Sequence, residues 1–438
     1  MTKEEILKNA LSENVKYIKL QFTDMLGTIK SVEIPLSKLE DSLDGKTMFD
    51  GSSIEGFVRI KEADMYLKPD YDTWIILPDS NDSKNERMAS IICDVYLPNG
   101  LPFPGDSRIL LKKSLAKLKE RGFDSFKIGV EPEFYLFKKE CGKLSFSDHS
   151  SYFDVAPIDS SEKFRRQIVL ELERLGFQVE ASHHEVGPGQ NEINFKYDDA
   201  LKTCDRIQMY KQVVKQVAER NGLIATFMPK PFDGFPGNGM HLNCSLMDEN
   251  KQNLFYDEND PMKLSLLCRK WITGILLHSR EISLITNPTV NSYKRLVPGF
   301  EAPCYICWSD ANRSAMIRIP SIRKMGTRCE IRNVDPSCNP YLAAIAILEA
   351  GLDGIDHDYQ LIEPVYDNIY ELNENQRKQI GVNNLPENLK EAIDEFKNSS
   401  FMKEIFHEHL FDKYIQAKEL EWESYRVLVH EWELKRYL

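Results

Sequence analysis

The stretch KIGVEPEFYLF, residues 127–137, decides how the rest of this chain reads. It is a strand-like run in which Glu131 and Glu133 sit two apart, so both carboxylates project from one face of a sheet. Neighbouring anions on a sheet face repel. The pair therefore suits a divalent cation between its members, with a merely exposed acidic face as the bland alternative.

Working outward, MHLNCSL (240–246) reads as a second strand, and such strands alternate with helices at 198–221, 262–279 and 340–352. The pattern predicts an α+β domain with a large curved antiparallel sheet covered by helices. At Asn339-Pro340 the asparagine can cap a helix and the proline suits its first turn. The last 50 or so residues read as helices with a Trp- and Tyr-rich tail. Towards the start, an opening helix is followed by YIKLQF (17–22), SVEIP (31–35), WIIL (74–77) and SIICDVYL (90–97), a small mixed or antiparallel sheet. PNGLPFPG (98–105) concentrates breakers, and Asp106 or Ser107 can cap the helix beyond it. With 438 residues the chain exceeds one ordinary core, and the expected domains are 1–103 and 104–438.

Composition excludes several classes. With 42% hydrophobic and 28% charged residues the chain is a folded enzyme-like protein. A formal charge of −12 disfavours nucleic acid as the main partner. The apolar stretch from Tyr341 to Leu352 is interrupted by Glu349 and is too short to cross a bilayer. The acidic N-terminus lacks an export pattern, so a cytoplasmic location is expected. Nine scattered cysteines argue against a disulfide framework, and the lone CxxC pair, Cys304 and Cys307, lacks further zinc ligands. Reduced thiols are expected there, with a redox role as the alternative.

Three more segments join the first. In HHEVGPGQNE (183–192) a Gly-Pro-Gly turn can bring Glu185 and Glu192 together, with His183 and His184 as strand-end supports. In GMHLNCS (239–245) His241, Asn243 and Ser245 share one strand face, and in RCEIR (328–332) Glu330 shares its face with Arg328 and Arg332. Five carboxylates and one imidazole favour Mg²⁺ or Mn²⁺ over zinc. Arg295, Arg313, Arg318, Arg323, Arg328 and Arg332 crowd residues 295–332, whereas the lysine-rich run from Lys112 to Arg121 reads as a solvated helix face. Arginines beside metal-binding carboxylates suit phosphoryl transfer. No Walker loop or GxGxxG fingerprint is present.

Taken in order, FDGSSIEGF (49–57), EPE (131–133), the 185–192 segment, FMPKP (227–231), GMH (239–241), NPTVNSYKR (287–295), NRS (312–314) and EIR (330–332) resemble the type I glutamine synthetases along nearly the whole chain. The resemblance implies an N-terminal β-grasp-like domain, ATP as co-substrate and two or more Mg²⁺ or Mn²⁺ ions per subunit. It makes Glu133, Glu185 and Glu192 ligands of one ion, and Glu131, His241 and Glu330 ligands of another. Arg295, Arg313, Arg332 and Gly237 match residues that hold L-glutamate and the transferred phosphoryl. Arg318 and Arg328 match phosphate-binding arginines, while Glu180, Asn243 and Ser245 match nucleotide contacts. Asp50 matches the residue that binds and deprotonates ammonium, acting on a neighbouring subunit's site, and Glu301 matches a flap that shields the intermediate. A dodecamer of two hexameric rings is implied as well. Length and the Glu133 to Glu185 spacing resemble the alpha branch, in which Arg59 matches an arginine tied to feedback by glutamine.

Two departures stand out. Family members commonly have Asn-Gly-Ser-Gly before Met-His, where this chain has Pro236-Gly237-Asn238-Gly239. Around Tyr370 the flanking Pro-Pro of the adenylylated motif is replaced by Asn373-Glu374, so no adenylylation is expected. The competing readings are a γ-glutamyl-amine ligase, against which the full Asp50 motif argues, and a non-catalytic relative, against which the intact ligand set argues.

Overall fold

The computed structural model describes residues 1–52, 54, 64–78, 87–140, 142–299, 302–312 and 314–438. Its N-terminal part is a six-stranded sheet of β1 (Tyr17–Thr23), β2 (Ile29–Pro35), β3 (Thr47–Asp50), β4 (Asp64–Pro69), β5 (Ile75–Ile76) and β6 (Met88–Tyr96). The order is β2-β1-β6-β4-β3, with β5 on β6. β1 and β6 run parallel and the other pairs antiparallel, so the sheet is mixed. Alternation explains the core: Ile18, Leu20 and Phe22 of β1 turn inward to meet Met65, Leu67, Ile91 and Val95. Helices α1 (Lys3–Ser12) and α2 (Leu39–Leu43) cover them, α1 starting on a capping box between Thr2 and Glu5.

The second sheet has ten strands: β7 (Ser125–Glu140), β8 (Lys143–Phe146), β9 (Val179–His184), β10 (Gln190–Asp199), β11 (Leu223–Thr226), β12 (Met240–Met247), β13 (Tyr305–Ser309), β14 (Ala315–Arg318), β15 (Cys329–Ile331) and β16 (Asn383–Asn384). Its order is β16-β13-β14-β15-β12-β7-β10-β9, with β8 and β11 also on β7. The expected antiparallel pairing holds along this sheet except at one place, where β13 and β14 pair in parallel. A three-residue strand such as β15 carries no sequence signal for the direction of its neighbours.

Helices α3 (Ser107–Glu120), α4 (Glu162–Arg174), α5 (Ala200–Arg220), α6 (Leu266–Thr286) and α8 (Pro340–Asp356) flank this sheet, and the short α7 (Ser292–Arg295) lies between α6 and β13. α3 begins as expected, on Asp106, whose carboxylate accepts from the Arg108 and Ile109 amides. α8 begins on Asn339, which accepts from Tyr341 and Leu342. α6 differs from the expected 262–279. Ser265 caps it, and it runs on to Thr286 because the charges of its second half are satisfied in place: His278 by Glu281 and Asp353, Arg280 by Glu391 and Glu395.

α6 and α8 meet backbone to backbone. A Cβ on Gly274 would stand 2.2 Å from the Ala350 carbonyl oxygen and 2.7 Å from the Gly354 Cα. Gly274→Ala should therefore cost about 1–3 kcal/mol by overpacking, read as a lower midpoint of thermal unfolding.

The two sheets are joined through charge. Arg108, 4% exposed, donates to Asp205 through Nε and Nη2 at 2.9 Å each, to Asp94 at 2.7 Å and to Asp70 at 2.8 Å. Lys112 adds contacts to Asp94 at 2.6 Å and Asp70 at 3.0 Å, so the lysine-rich face of α3 is solvated except at this residue. The described cysteines are free, buried thiols, Cys304 and Cys307 among them. Among the described residues no helix is long and apolar enough to cross a membrane.

Candidate active site

Strand register assembles the site. His241 of β12 faces Glu131 of β7, Asn243 faces Glu330 of β15, and Arg318 of β14 also faces Glu330. On the other side of β7, Glu192 of β10 faces Glu133 and is flanked by His183 of β9. Side chains that are far apart in sequence thus share one face because directly paired residues project the same way.

Two clusters result. In the first, ligand atoms of Glu131, His241 and Glu330 lie within 4.8 Å of one another. His241 Nδ1 is 3.1 Å from Glu131 Oε2 and 3.5 Å from Glu330 Oε1. In the second, Glu185 and Glu192 gather with His183 within the same 4.8 Å limit, His183 Nε2 standing 2.7 Å from Glu185 Oε1. His183 is therefore part of a cluster, whereas sequence reasoning took it for a support. Glu133 stands beside this group: its Oε2 accepts from the Gly239 amide at 2.8 Å and the Gln190 side chain at 3.0 Å. The Gly-Pro-Gly turn works as expected, with Glu185 N donating to the Gln190 carbonyl at 2.9 Å. It needs glycine at 189, where φ is +72° and a Cβ would sit 2.8 Å from the Leu136 carbonyl oxygen.

The electrostatics mark this face as built for positive charge. Burial, reinforced by Glu185, pushes the Glu133 carboxyl up, and burial with Glu133 likewise pushes Glu192 up. Burial would raise Glu131 too, but hydrogen bonds from His241 and Asn243 and the nearby Arg318 hold it down at about 2. A cation between the glutamates removes the repulsion, and hard oxygens with one imidazole in each group fit Mg²⁺ or Mn²⁺.

Three connected spaces run along the face. A cavity of about 600 Å³ is lined by Glu131, Glu133, Glu185, Glu192, His241, Glu330, Arg318 and Arg332. One end opens into about 290 Å³ lined by Glu180, Asn243, Ser245 and Arg328. Glu180 reaches it through a β-bulge, since Asn194 pairs with Ala181 and Phe195 with Val179, leaving Glu180 as the extra residue. The other end narrows to about 40 Å³ between Gly237, Arg295, Arg332 and Glu133.

A chain of hydrogen bonds and ion-pair contacts spans the three spaces. Arg328 Nε donates to Asn243 at 2.9 Å, Asn243 to Glu131 at 3.1 Å, and Glu330 accepts from Arg318 Nε at 2.7 Å and meets Arg332 Nε at 3.2 Å. Arg295 is buried and donates to the backbone carbonyls of Asn333 and Arg332. Burial lowers its pKa, with Asp335 and Glu133 opposing.

Asp50 ends β3 on the N-terminal sheet, exposed, with its carboxylate accepting from the Ser52 amide at 2.8 Å; the Ser52 side chain first, and this amide second, lower its pKa. It lines none of the three spaces of its own chain. Glu301, Arg313 and Arg59 lie outside the described residues. Gln190, Asn194 and Tyr152 also face the cavities and were not singled out in the sequence; Gln190 lies within a quoted motif, and its neighbours Gly187 and Gly189 were the available signal.

Comparison with known proteins agrees. The family description "Glutamine synthetase, beta-Grasp domain" matches residues 14–98 and "Glutamine synthetase, catalytic domain" matches residues 104–437. A glutamine synthetase of Staphylococcus aureus strain Mu50 is 52% identical over 440 residues, spanning 100% of this chain and 98% of its own, and one of Staphylococcus epidermidis is 50% identical over the same spans. Among solved structures, a GmaS/ADP complex superposes with a TM-score of 0.89 at 30% identity, covering 99% of each chain. A Plasmodium falciparum glutamine synthetase does so with a TM-score of 0.89 at 27% identity, covering 100% of this chain and 99% of that one. With both of its parts matched, its strand register gathering the expected carboxylates and relatives alike along their whole length, this chain belongs to the glutamine synthetase family.

Proposed function

We propose that the chain ligates ammonia to the γ-carboxylate of L-glutamate at the expense of ATP, through γ-glutamyl phosphate, giving glutamine, ADP and phosphate. The observation that carries this reading is the unbroken chain from Arg328 through Asn243, Glu131 and His241 to Glu330, Arg318 and Arg332, which joins an aperture suited to a nucleotide to one suited to a small amino acid.

Members of this family use ATP and divalent metals. Glu131, His241 and Glu330 would hold one ion and Glu133, Glu185 and Glu192 another, Mg²⁺ or Mn²⁺ in each case, with His183 close to the second set. Such ions supply charge neutralisation for phosphoryl transfer when bound. Glu180, Asn243 and Ser245 contact the nucleotide, and Arg318 and Arg328 grip its phosphates. Gly237, Arg295 and Arg332 hold glutamate with its γ-carboxylate turned to the phosphate end, so that two anions approach in a field of fixed positive charge. Arg313 stabilises the transferring phosphoryl, and Glu301 closes over the acyl phosphate and excludes water. Asp50 takes the proton from ammonium at its carboxylate.

Asp50, which lines none of the three spaces described above, acts on a neighbouring subunit, in a dodecamer of two hexameric rings working in the cytoplasm. The alpha-branch reading, with Arg59 carrying glutamine feedback, and the division at residue 103 belong to the same proposal.

The test is phosphate release from ATP with glutamate and either ammonium or methylamine as acceptor. Ammonium must be preferred; faster release with methylamine would replace this reading by that of an amine ligase. Asp50→Ala should reduce ammonium-dependent turnover by about 100-fold while leaving ATP affinity unchanged in a binding titration. Chelation with EDTA should lower thermal stability by about 2.7 kcal/mol relative to protein holding ion at 100 times its dissociation constant, and added Mg²⁺ should restore it.

A further inference from the structure

We infer that Gln190 is a positioning residue that locks the glutamate-binding loop to the metal ligand Glu133, so that ion and amino acid bind as a coupled pair. The inference deepens the functional reading above and rests on it for the roles of Glu133 and Gly237.

Gln190 is 1% exposed and opens β10, directly after the turn that follows Glu185. Its Oε1 accepts from the Gly187 amide at 3.0 Å. Its Nε2 faces three oxygens: Glu133 Oε2 at 3.0 Å, the Gly237 carbonyl at 3.0 Å and Asn238 Oδ1 at 3.2 Å. A carboxylate and a backbone carbonyl can only accept, so the amide must present its two N–H groups on this side. The opposite orientation would set oxygen against oxygen and leave the Gly187 amide facing a donor.

The loop is thereby held at both ends. Gln190 grips the carbonyl of Gly237, and Glu133 accepts from the amide of Gly239 at 2.8 Å. Between them Asn238, fully buried, donates through Nδ2 to the Met228 carbonyl at 2.9 Å and through its backbone amide to the Pro229 carbonyl at 2.8 Å. Asn238 stands where the common family sequence has serine, and its longer amide reaches both Met228 and Gln190. Glu133 cannot shift towards an ion without drawing on Gln190, and Gln190 cannot follow without moving Gly237. The carboxylate that receives the ion and the backbone that receives glutamate therefore move together.

Gln190→Leu keeps the volume and removes the donors. In the full-length protein, Mn²⁺ binding is read by the electron paramagnetic resonance of free Mn²⁺, with and without glutamate. The parent should bind Mn²⁺ more tightly when glutamate is present, and by linkage the reverse. In Gln190→Leu one class of Mn²⁺ site should weaken about tenfold and the glutamate KM should rise about tenfold, the scale expected for the partner of a metal ligand. The tightening by glutamate should vanish, while the ATP KM stays within about twofold. Retention of both Mn²⁺ affinity and glutamate coupling in Gln190→Leu overturns the inference. Asn238→Ser is the second variant, for the case in which Gln190→Leu misfolds: it should raise the glutamate KM without altering Mn²⁺ affinity, and an unchanged KM counts against the lock. A parent protein without glutamate- and ammonium-dependent phosphate release would instead sink the functional reading, and the Mn²⁺ titration would then judge the hold on Glu133 alone.

Discussion

Glu330→Gln should reduce turnover by about 10²–10³-fold while the protein remains folded. The Glu330 carboxylate is 2% exposed and is the meeting point of Arg318, Arg332 and His241. As a member of the first cluster it offers an anionic oxygen that could hold an ion, and as an ion-pair partner it fixes two arginines that line the cavity. Glutamine preserves the shape but withdraws the charge, so one ion is held poorly and both guanidiniums lose their anchor. Glu330→Ala should be worse, because it removes the Arg318 acceptor altogether and one contact each of Arg332 and His241; its added cost to stability is about 1–3 kcal/mol. Steady-state kinetics with ATP, glutamate and ammonium, set beside circular dichroism, separates the two effects. Normal turnover in folded Glu330→Gln would refute the placement of this residue at the reaction centre.

The largest effect on stability should come from Arg108→Met, at about 3–5 kcal/mol. The arginine is buried and contacts three aspartates, Asp94 on β6, Asp70 just beyond β4 and Asp205 on α5. Methionine has a similar length but would leave Asp94 with Lys112 and Asp205 with the Tyr341 hydroxyl, both without the guanidinium. Arg108→Lys keeps a charge yet cannot form the paired contact to Asp205, so it should recover only part of the loss. Urea denaturation at constant slope measures both.

Much of the site could be read from the chain because metal chemistry uses few residue types. Glu131 and Glu133, His241 and Asn243, and Glu330 with its arginines are each short-range patterns of strand period, visible without any partner strand. β1, β7 and β12 were equally legible, since residues such as Ile18, Leu20 and Phe22 announce their own burial, whereas of β10 only the turn before it and Glu192 were read. Other features depend on long-range neighbours. β3 and β4 were passed over because β3 is short with no fully buried residue and β4 ends at a proline. His183 looked like a support because its place beside Glu185 and Glu192 arises only when β10 pairs with β9. The parallel pairing of β13 with β14 and the second acceptor set of Gln190 depend on the folded neighbourhood in the same way. Lys112 was indistinguishable from its solvated neighbours until Asp70 and Asp94 stood opposite.

Asn339, which heads α8, also donates through its side chain to the carbonyls of Asp24 and Met25 and to the Ser107 hydroxyl. Those acceptors leave the ribosome long before their donor, 315 residues separating Asn339 from Asp24. At about 5–20 residues per second, the first sheet waits roughly 15–60 s for the asparagine that closes this contact. During synthesis the small sheet must therefore hold together on its own core of Ile18, Leu20, Met65 and Ile91 and on the earlier link from Arg108 to Asp205, until Asn339 adds its tie.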